Sequence, residues 1–417
     1  MAVSSPPRAA PGSAELRRIQ VAMVSAGLAA FALLYSTQAL LPDIGRTYGV
    51  GATATSLTVS VTTGVLALAV LPMSAFAERA GRTRVMTGGL VVACLSVLAG
   101  AAAPALWVLL IARAVDGLAL GGVVAVAMGH IGAEVDDRAS TAAIGVYVSG
   151  TTVGGLLGRL VPAAVSTVGS WRVSLVALAV VGALCATVFT RIVPPSRAAT
   201  IPADPAVTRG RGRDHGREHA REHGRGRGIR QHLRDRGIVR LCLVALLLMG
   251  GFVGTYNYLT FRLGEGPFDL STSTVGLVFL AYLAGTVSST VATRAVGRTS
   301  RRTVVLGSIA VALAGLAVTL SSALPAVLVG LVIFTFGFFG AHATASGWVT
   351  GRAAVDKSSA SALYLLAYYL GSSVGGTAIG FAWTSGGWPA TVVAVGACYL
   401  LAAVVVAGVG APTAARS

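Results

Sequence analysis

Three charged side chains stand inside stretches that otherwise carry none. Arg113 and Asp116 lie in "LWVLLIARAVDGLALGGVVAVAMGHI" (residues 106–131), and Arg159 lies in "ASTAAIGVYVSGTTVGGLLGRLVPAAVS" (139–166). A carboxylate three residues from a guanidinium shares a helix face with it and can pair with it. In an apolar run such charges mark a proton relay or a solute path, because each costs roughly 2.5–3.5 kcal/mol to insert. A different kind of candidate occupies residues 209–230, "RGRGRDHGREHAREHGRGRGIR". There H-x-x-E-H occurs twice, through His215, Glu218 and His219 and again through His219, Glu222 and His223. On a helix that spacing is a zinc-protease signature. The same residues also suit an arginine-rich arm for nucleic acid, or a solvated connector.

The elements that must position these groups are membrane helices. The 417 residues are 54% hydrophobic and 11% charged, with mean hydropathy +0.77, where a soluble protein carries about 25% charged residues. Residues 21–41, "VAMVSAGLAAFALLYSTQALL", and 304–324, "VVLGSIAVALAGLAVTLSSAL", contain no charge at all. Runs of roughly 20 such residues, rising about 1.5 Å each, cross a hydrocarbon core of about 30 Å. The 53 glycines fit this setting, since small residues let membrane helices approach closely. Cys94, Cys185, Cys242 and Cys398 are scattered singly, which argues against disulfides and thiolate metal sites. The first apolar run is too long for a signal-peptide core and has no cleavage pattern placed to remove it, so it reads as a retained span.

Turn and charge signals predict an all-α integral membrane fold of twelve transmembrane helices. The predicted spans are 19–41, 54–77, 85–103, 106–131, 139–166, 171–193, 238–261, 272–294, 303–322, 325–349, 358–383 and 388–410. With the N-terminus inside, the cytoplasmic connections hold Arg79, Arg82, Arg84, Arg138, the Arg-rich linker, Arg294, Arg298, Arg301, Arg302, Arg352 and Lys357. The other side offers Arg46, Arg172 and Arg262. That asymmetry places both termini in the cytoplasm. The spans also repeat. "YVSGTTVGG" (147–155) lines up with "YYLGSSVGG" (368–376), and "GSW" (169–171) recurs as "GGW" (386–388). The organisation is a cytoplasmic N-terminal tail (1–18), a six-helix half (19–193), an Arg/His-rich cytoplasmic linker (194–237), a second six-helix half (238–410) and a C-terminal tail (411–417).

This context decides the reading of residues 209–230. Residues 191–240 hold 13 arginines against 5 acids and four of the six histidines. Gly210, Gly212, Gly216, Gly224, Gly226 and Gly228 disfavour a helix by about 1 kcal/mol each, and without the helix the H-x-x-E-H matches lose their zinc geometry. The segment reads as a solvated connector, with its positive charge drawn to anionic lipid. No metal, cofactor or nucleic acid is expected.

Four motifs resemble those of the major facilitator superfamily. "SAFAERAGRTRVM" (74–86) resembles its loop motif G-x-L-x-D-R-x-G-R-[KR], with Ser74 for the leading Gly and Glu78 for the Asp. Through Glu78, Arg79, Gly81, Arg82 and Arg84 the resemblance implies a cytoplasmic gate, a charge latch that locks one side closed. The second copy, "VATRAVGRTSRR" (291–302), keeps Gly297 and Arg298 without an acid. "IARAVDGLALGG" (111–122) resembles R-x-x-x-G through Arg113 and Gly117. "GTTVGG" (150–155) resembles the proton antiporters' G-P-x-x-G-G, with Thr151 in place of the proline. "LYSTQALLP", "GVYVSGTTVGGLLGRL", "LLMGGFVGTYNYLTFRL", "GFFGAHATASGW" and "ASALYLLAYYLGSSVGGT" extend the resemblance across both halves, to inner-membrane transport proteins of that superfamily generally regarded as proton-driven efflux carriers.

The resemblance implies a secondary transporter that exports a small drug- or sugar-like solute by alternating access, with the site between two parallel halves. Uptake by symport and solute reception without transport remain the alternatives. Asp116 and Arg113 are the expected proton-coupling pair. Tyr35, Gln38, Tyr147, Arg159, Tyr256, Asn257, His342, Tyr364 and Tyr368 are the expected cavity residues, and Gly150, Gly154, Gly155, Gly371, Gly375 and Gly376 the expected helix-packing glycines. The expected partners are the solute, protons and membrane lipid, around a monomer. An ATP-driven pump is disfavoured because no G-x-x-x-x-G-K-[ST] loop is present, and an enzyme because no span clusters His or acidic ligands. Replacing residues 209–230 with a neutral Gly/Ser segment of equal length is expected to leave transport largely intact. Stoichiometric zinc in the purified protein, lost together with transport in His219→Ala, would sink the connector reading.

Overall fold

A computed structural model describes residues 8–194, 231–353 and 356–410. The two H-x-x-E-H matches, residues 195–230 of the linker and the C-terminal tail lie outside the described residues. The described chain is helical, and its one bridge of strand type joins Ala9 to Val135. Among the described residues, eleven helices are long and apolar enough to cross a membrane. The chain divides into two units. The first runs to Pro202 and takes in Leu270–Phe279, and the second holds the rest.

The first unit contains α1 (Ala14–Leu34), α2 (Leu41–Tyr48), α3 (Ala52–Ala80), α4 (Arg82–Ala101), α5 (Leu106–Glu134), α6 (Asp137–Val165) and α7 (Trp171–Ile192). Side chains satisfy the first amides of several helices, as expected at N-termini. Ser13 Oγ accepts from Leu16 N, and Asp136 from Arg138 N. Ahead of α1, Ala9 is docked. Ala9 N donates to the Glu134 carbonyl at 2.9 Å, and Asp136 N donates to the Ala9 carbonyl at 3.1 Å. Within the unit α5 packs on α3 and α4, and α1 on α6 and α7.

The first predicted span, 19–41, is not continuous. α1 stops at Leu34, residues 35–37 form turns, and Gln38–Leu40 is a 3-10 turn leading into α2. The local cause is Pro42 in the first turn of α2. A proline has no amide to give, and its ring crowds the carbonyl four residues back, here that of Gln38. The chain tightens to i→i−3 bonds, Ser36 N to Leu33 O, Gln38 N to Tyr35 O and Leu40 N to Thr37 O.

The second unit contains α8 (Arg236–Gly264), α10 (Leu283–Val296), α11 (Arg301–Val318), α12 (Leu324–Arg352) and α13 (Lys357–Ala407), while the short α9 (Thr272–Gly276) belongs to the first. α13 takes in both of the last two predicted spans. Its 51 residues leave helical geometry at Gly386 (φ −157°, ψ 22°) and Gly387 (φ 59°, ψ −144°). A straight helix of that length would reach about 77 Å, more than two hydrocarbon thicknesses of about 30 Å. The break falls where the sequence places a connection.

The repeated glycines do the same job in both units. A Cβ on Gly150 would stand 2.7 Å from the Val24 carbonyl oxygen, and one on Gly154 or Gly158 would run into the backbone of Leu28 or Ala32. α6 therefore lies directly on the α1 backbone. In the second unit a Cβ on Gly371 would meet the Leu246 backbone, and one on Gly375 that of Gly250. Gly158 extends the first stripe by a turn beyond the predicted set. Gly154→Val is expected to cost about 1–3 kcal/mol or more by overpacking. The check is thermal unfolding in detergent against Gly145→Ala, a site with open space around its Cβ that should match the native protein.

Candidate functional site

The break in α1 leaves main-chain carbonyls that need donors in a region with little water. Arg113, 1% exposed on α5, supplies them. Its Nη2 donates to the Leu34 carbonyl at 2.6 Å, and its Nη1 to the Leu33 carbonyl at 3.2 Å and to Ser36 Oγ at 2.9 Å. Its Nε reaches the Thr58 carbonyl on α3 at 3.0 Å. The guanidinium thus ties α1, α3 and α5 together. Gly117, one turn further along α5, allows this closeness, since a Cβ there would run into the Thr62 carbonyl of α3.

Asp116 balances the charge. Arg113 Nη1 donates to its Oδ2 at 2.6 Å, and the two side chains are 1% and 0% exposed. The other oxygen, Oδ1, is buried without a hydrogen-bond partner among the described residues. One carboxylate oxygen therefore fixes the guanidinium, and the other makes no hydrogen bond among the described residues.

A second guanidinium is built differently. Arg159 on α6 is 2% exposed, although its place toward one end of the predicted span would suit a side chain reaching out to water. Its Nε donates to Gln38 Oε1 at 2.7 Å, and its Nη1 donates to the Gly155 carbonyl. Its Cζ lies 3.9 Å from the centroid of the Tyr35 ring and 5.3 Å from that of Phe279. The unwound stretch of α1 thus brings Tyr35 and Gln38 to Arg159, as three of the expected cavity residues in one cluster. Gly155 differs from its neighbours in the glycine stripe. A Cβ there would sit 3.4 Å from Arg159 Nη1 and 3.9 Å from Tyr35, so it gives room to the guanidinium and not to a helix backbone. Tyr147 is placed apart, against Gly27 of α1, with its hydroxyl unbonded among the described residues.

In the second unit His342, Tyr364 and Tyr368 come together. The Tyr364 hydroxyl lies 3.0 Å from His342 Nδ1 and 3.2 Å from the His342 carbonyl. The Tyr368 ring is 4.6 Å from the imidazole, and Phe338 stacks on the same imidazole at 5.8 Å and 8°. Phe338 stacks in turn on Phe252 at 3.8 Å, and Phe252 meets Tyr256 at 5.0 Å. Tyr256, wholly buried, shares a hydrogen bond with Thr335 Oγ1 at 2.7 Å, and Asn257 beside it is equally buried. Tyr258 is a helix clip, donating to the Gly376 carbonyl at 3.0 Å. Sequence reasoning passed over Phe252 and Phe338. Each stands four residues before an expected site residue, Tyr256 and His342, and that spacing on a helix was the available signal.

At the expected gate, Gly81 joins α3 to α4 with φ +95°, a backbone region that favours glycine. Arg82 donates to the Gly129 carbonyl in the last turns of α5 at 3.0 Å, while Glu78, Arg79 and Arg84 are exposed.

Several known proteins are similar to this chain. The family model described as Major Facilitator Superfamily matches residues 23–375. The inner membrane transport protein YnfM of Escherichia coli is 36% identical over 90% of this chain and 87% of its own length. The MFS-type transporter YybF of Bacillus subtilis is 33% identical over 90% and 89%. Among solved structures, a bacterial homologue of the lysosomal transporter Spinster, inward-facing and unoccupied, superposes with TM-score 0.72 at 16% identity, covering 95% of each chain. A D-xylose–proton symporter gives 0.72 at 13% identity, covering 96% of this chain and 99% of its own.

The geometry makes a stability prediction. Arg113→Leu removes the donors for the α1 break and leaves Asp116 charged and alone, so it should cost about 3–5 kcal/mol. Asp116→Asn keeps an acceptor for Arg113 and should cost far less. Thermal unfolding of both purified variants checks the order, and equal losses would refute it.

Proposed function

The chain belongs to the major facilitator superfamily, and from that premise we propose that it is a proton-coupled exporter of a small solute, working by alternating access. Members of this family are transporters and not enzymes, and the chain is a multi-pass protein of the plasma membrane. The proposed topology is twelve crossings with both termini cytoplasmic. The break at Gly386 and Gly387 supports the count, and the concentration of arginine on alternate connections supports the orientation. The working unit is proposed to be a monomer in contact with membrane lipid.

Proton coupling rests on one observation, the buried Asp116 Oδ1 beside a guanidinium that the protein cannot release cheaply. A carboxylate so placed can gain a proton when its surroundings open to one side and lose it when they open to the other. Arg113 then works as a fixed reference, holding Asp116 in place through the cycle. The proposed solute contacts are Tyr35, Gln38, Tyr147 and Arg159 in one unit and Tyr256, Asn257, His342, Tyr364 and Tyr368 in the other. Glu78, Arg79, Gly81, Arg82 and Arg84 are the proposed gate. Export as the direction is supported by the likeness of residues 150–155 to the glycine motif of proton antiporters.

Asp116→Asn, nearly isosteric but unable to titrate, is expected to keep solute binding and solute-for-solute exchange in proteoliposomes while losing transport driven by a proton gradient. Gradient-driven transport that persists in this variant would make Asp116 a structural partner of Arg113 and place coupling elsewhere.

A further inference from the structure

A groove on the surface of the first unit takes no part in the sites described above. It encloses about 420 Å³ between α3, α4 and α5. Met73 and Phe76 line it from α3, Gly88 and Val92 from α4, and Val115 and Leu118 from α5. Two adjacent glycines set its depth. A Cβ on Gly89 would stand 2.7 Å from the Ala119 carbonyl oxygen, so α4 and α5 touch along the floor. A Cβ on Gly88 would meet nothing within 4 Å, so the space beside it is open.

The groove is apolar along its length and charged at one end. Among the described residues that line it, Arg84 in the first turn of α4 is the only one with a charge. Residues 78–84 hold three arginines against Glu78. Arg82 is committed to the Gly129 carbonyl, while Arg79 and Arg84 are exposed. From Arg84 to Val92 the groove runs about 12 Å, within one leaflet of a bilayer whose hydrocarbon is about 30 Å thick. Over that length its cross-section is about 35 Å², less than half that of a helix about 10 Å across. An extended hydrocarbon chain fits this shape, and a partner helix does not.

We propose that the groove binds an anionic phospholipid, with one acyl chain lying between α3, α4 and α5 and the phosphate pairing with Arg84. Chain burial alone gives little preference, since the bilayer is as apolar as the groove. Selection comes from the headgroup. Basic pockets between membrane helices capture anionic lipid headgroups, and a phosphate can accept two guanidinium N–H groups at once. A zwitterionic headgroup brings its own cation to Arg84, and a water-soluble phosphate has no chain for the groove to hold. The site depends on the membrane setting of the chain, not on the direction or solute of transport.

Purified full-length protein in detergent would be titrated with phosphatidylglycerol and with phosphatidylcholine of the same acyl chains, and bound lipid counted by native mass spectrometry. One phosphatidylglycerol per chain should be retained in preference to phosphatidylcholine. Arg84→Gln should weaken that retention roughly five-fold, which is about 1 kcal/mol at 1.4 kcal/mol per decade. Arg298→Gln removes the same charge away from the groove and should leave it unchanged. Gly88→Trp fills the groove without a change of charge and should abolish it. If Gly88→Trp does not fold, Gly88→Leu is read in its place. Equal retention of the two lipids, equal losses in Arg84→Gln and Arg298→Gln, or full retention in the Gly88 variant that folds would overturn the proposal. So would displacement of the lipid by glycerol 3-phosphate, which would mean a site for a free anion. A dimer that phosphatidylglycerol does not affect and the Gly88 variant abolishes would assign the groove to a second copy of the chain instead.

Discussion

A helix interrupted inside a membrane must find donors for the carbonyls it exposes, and here one guanidinium provides them. Arg113 accounts for Leu33 and Leu34 of α1, Ser36 of the turn and Thr58 of α3 while pairing with Asp116 on its own helix. The rest of the first unit's chemistry follows from this. Because α1 can be unwound at residues 35–37 without stranded carbonyls, Tyr35 and Gln38 can leave the helical phase and turn toward Arg159. Because Gly117 has no side chain, α5 can come near enough to α3 for the guanidinium to reach across.

The two units solve the packing problem alike and the chemical problem differently. Glycines at 150 and 154 seat α6 on α1, and glycines at 371 and 375 seat α13 on α8. Such contacts give close main-chain approach without a large side chain to unlock. The buried Arg113, Asp116 and Arg159 lie in the first unit, whereas the second presents rings in succession from Tyr256 through Phe252 and Phe338 to His342 and Tyr368.

Much of this was legible in the sequence. Apolar run lengths marked the crossings, since a hydrocarbon layer fixes how much apolar chain is needed. The pairing of Arg113 with Asp116 followed from their spacing of three. The α1 break was not read, because Tyr35, Ser36 and Thr37 are all acceptable in a helix and only Pro42 hinted at it. Nor could sequence show what Arg113 holds, because its acceptors lie 55 to 80 positions away. Gly154 and Gly155 look interchangeable in the motif. Adjacent residues on a helix face different directions, so one meets a backbone and the other a guanidinium.

The docking of Ala9 has a mechanical meaning. Ala9 joins the α5–α6 connection through two main-chain hydrogen bonds, one to Glu134 and one to Asp136. Arg82 grips the same end of α5 at Gly129. The junction is therefore clamped from two sides. A substitution at Ala9 would be felt at the end of the helix that carries Asp116.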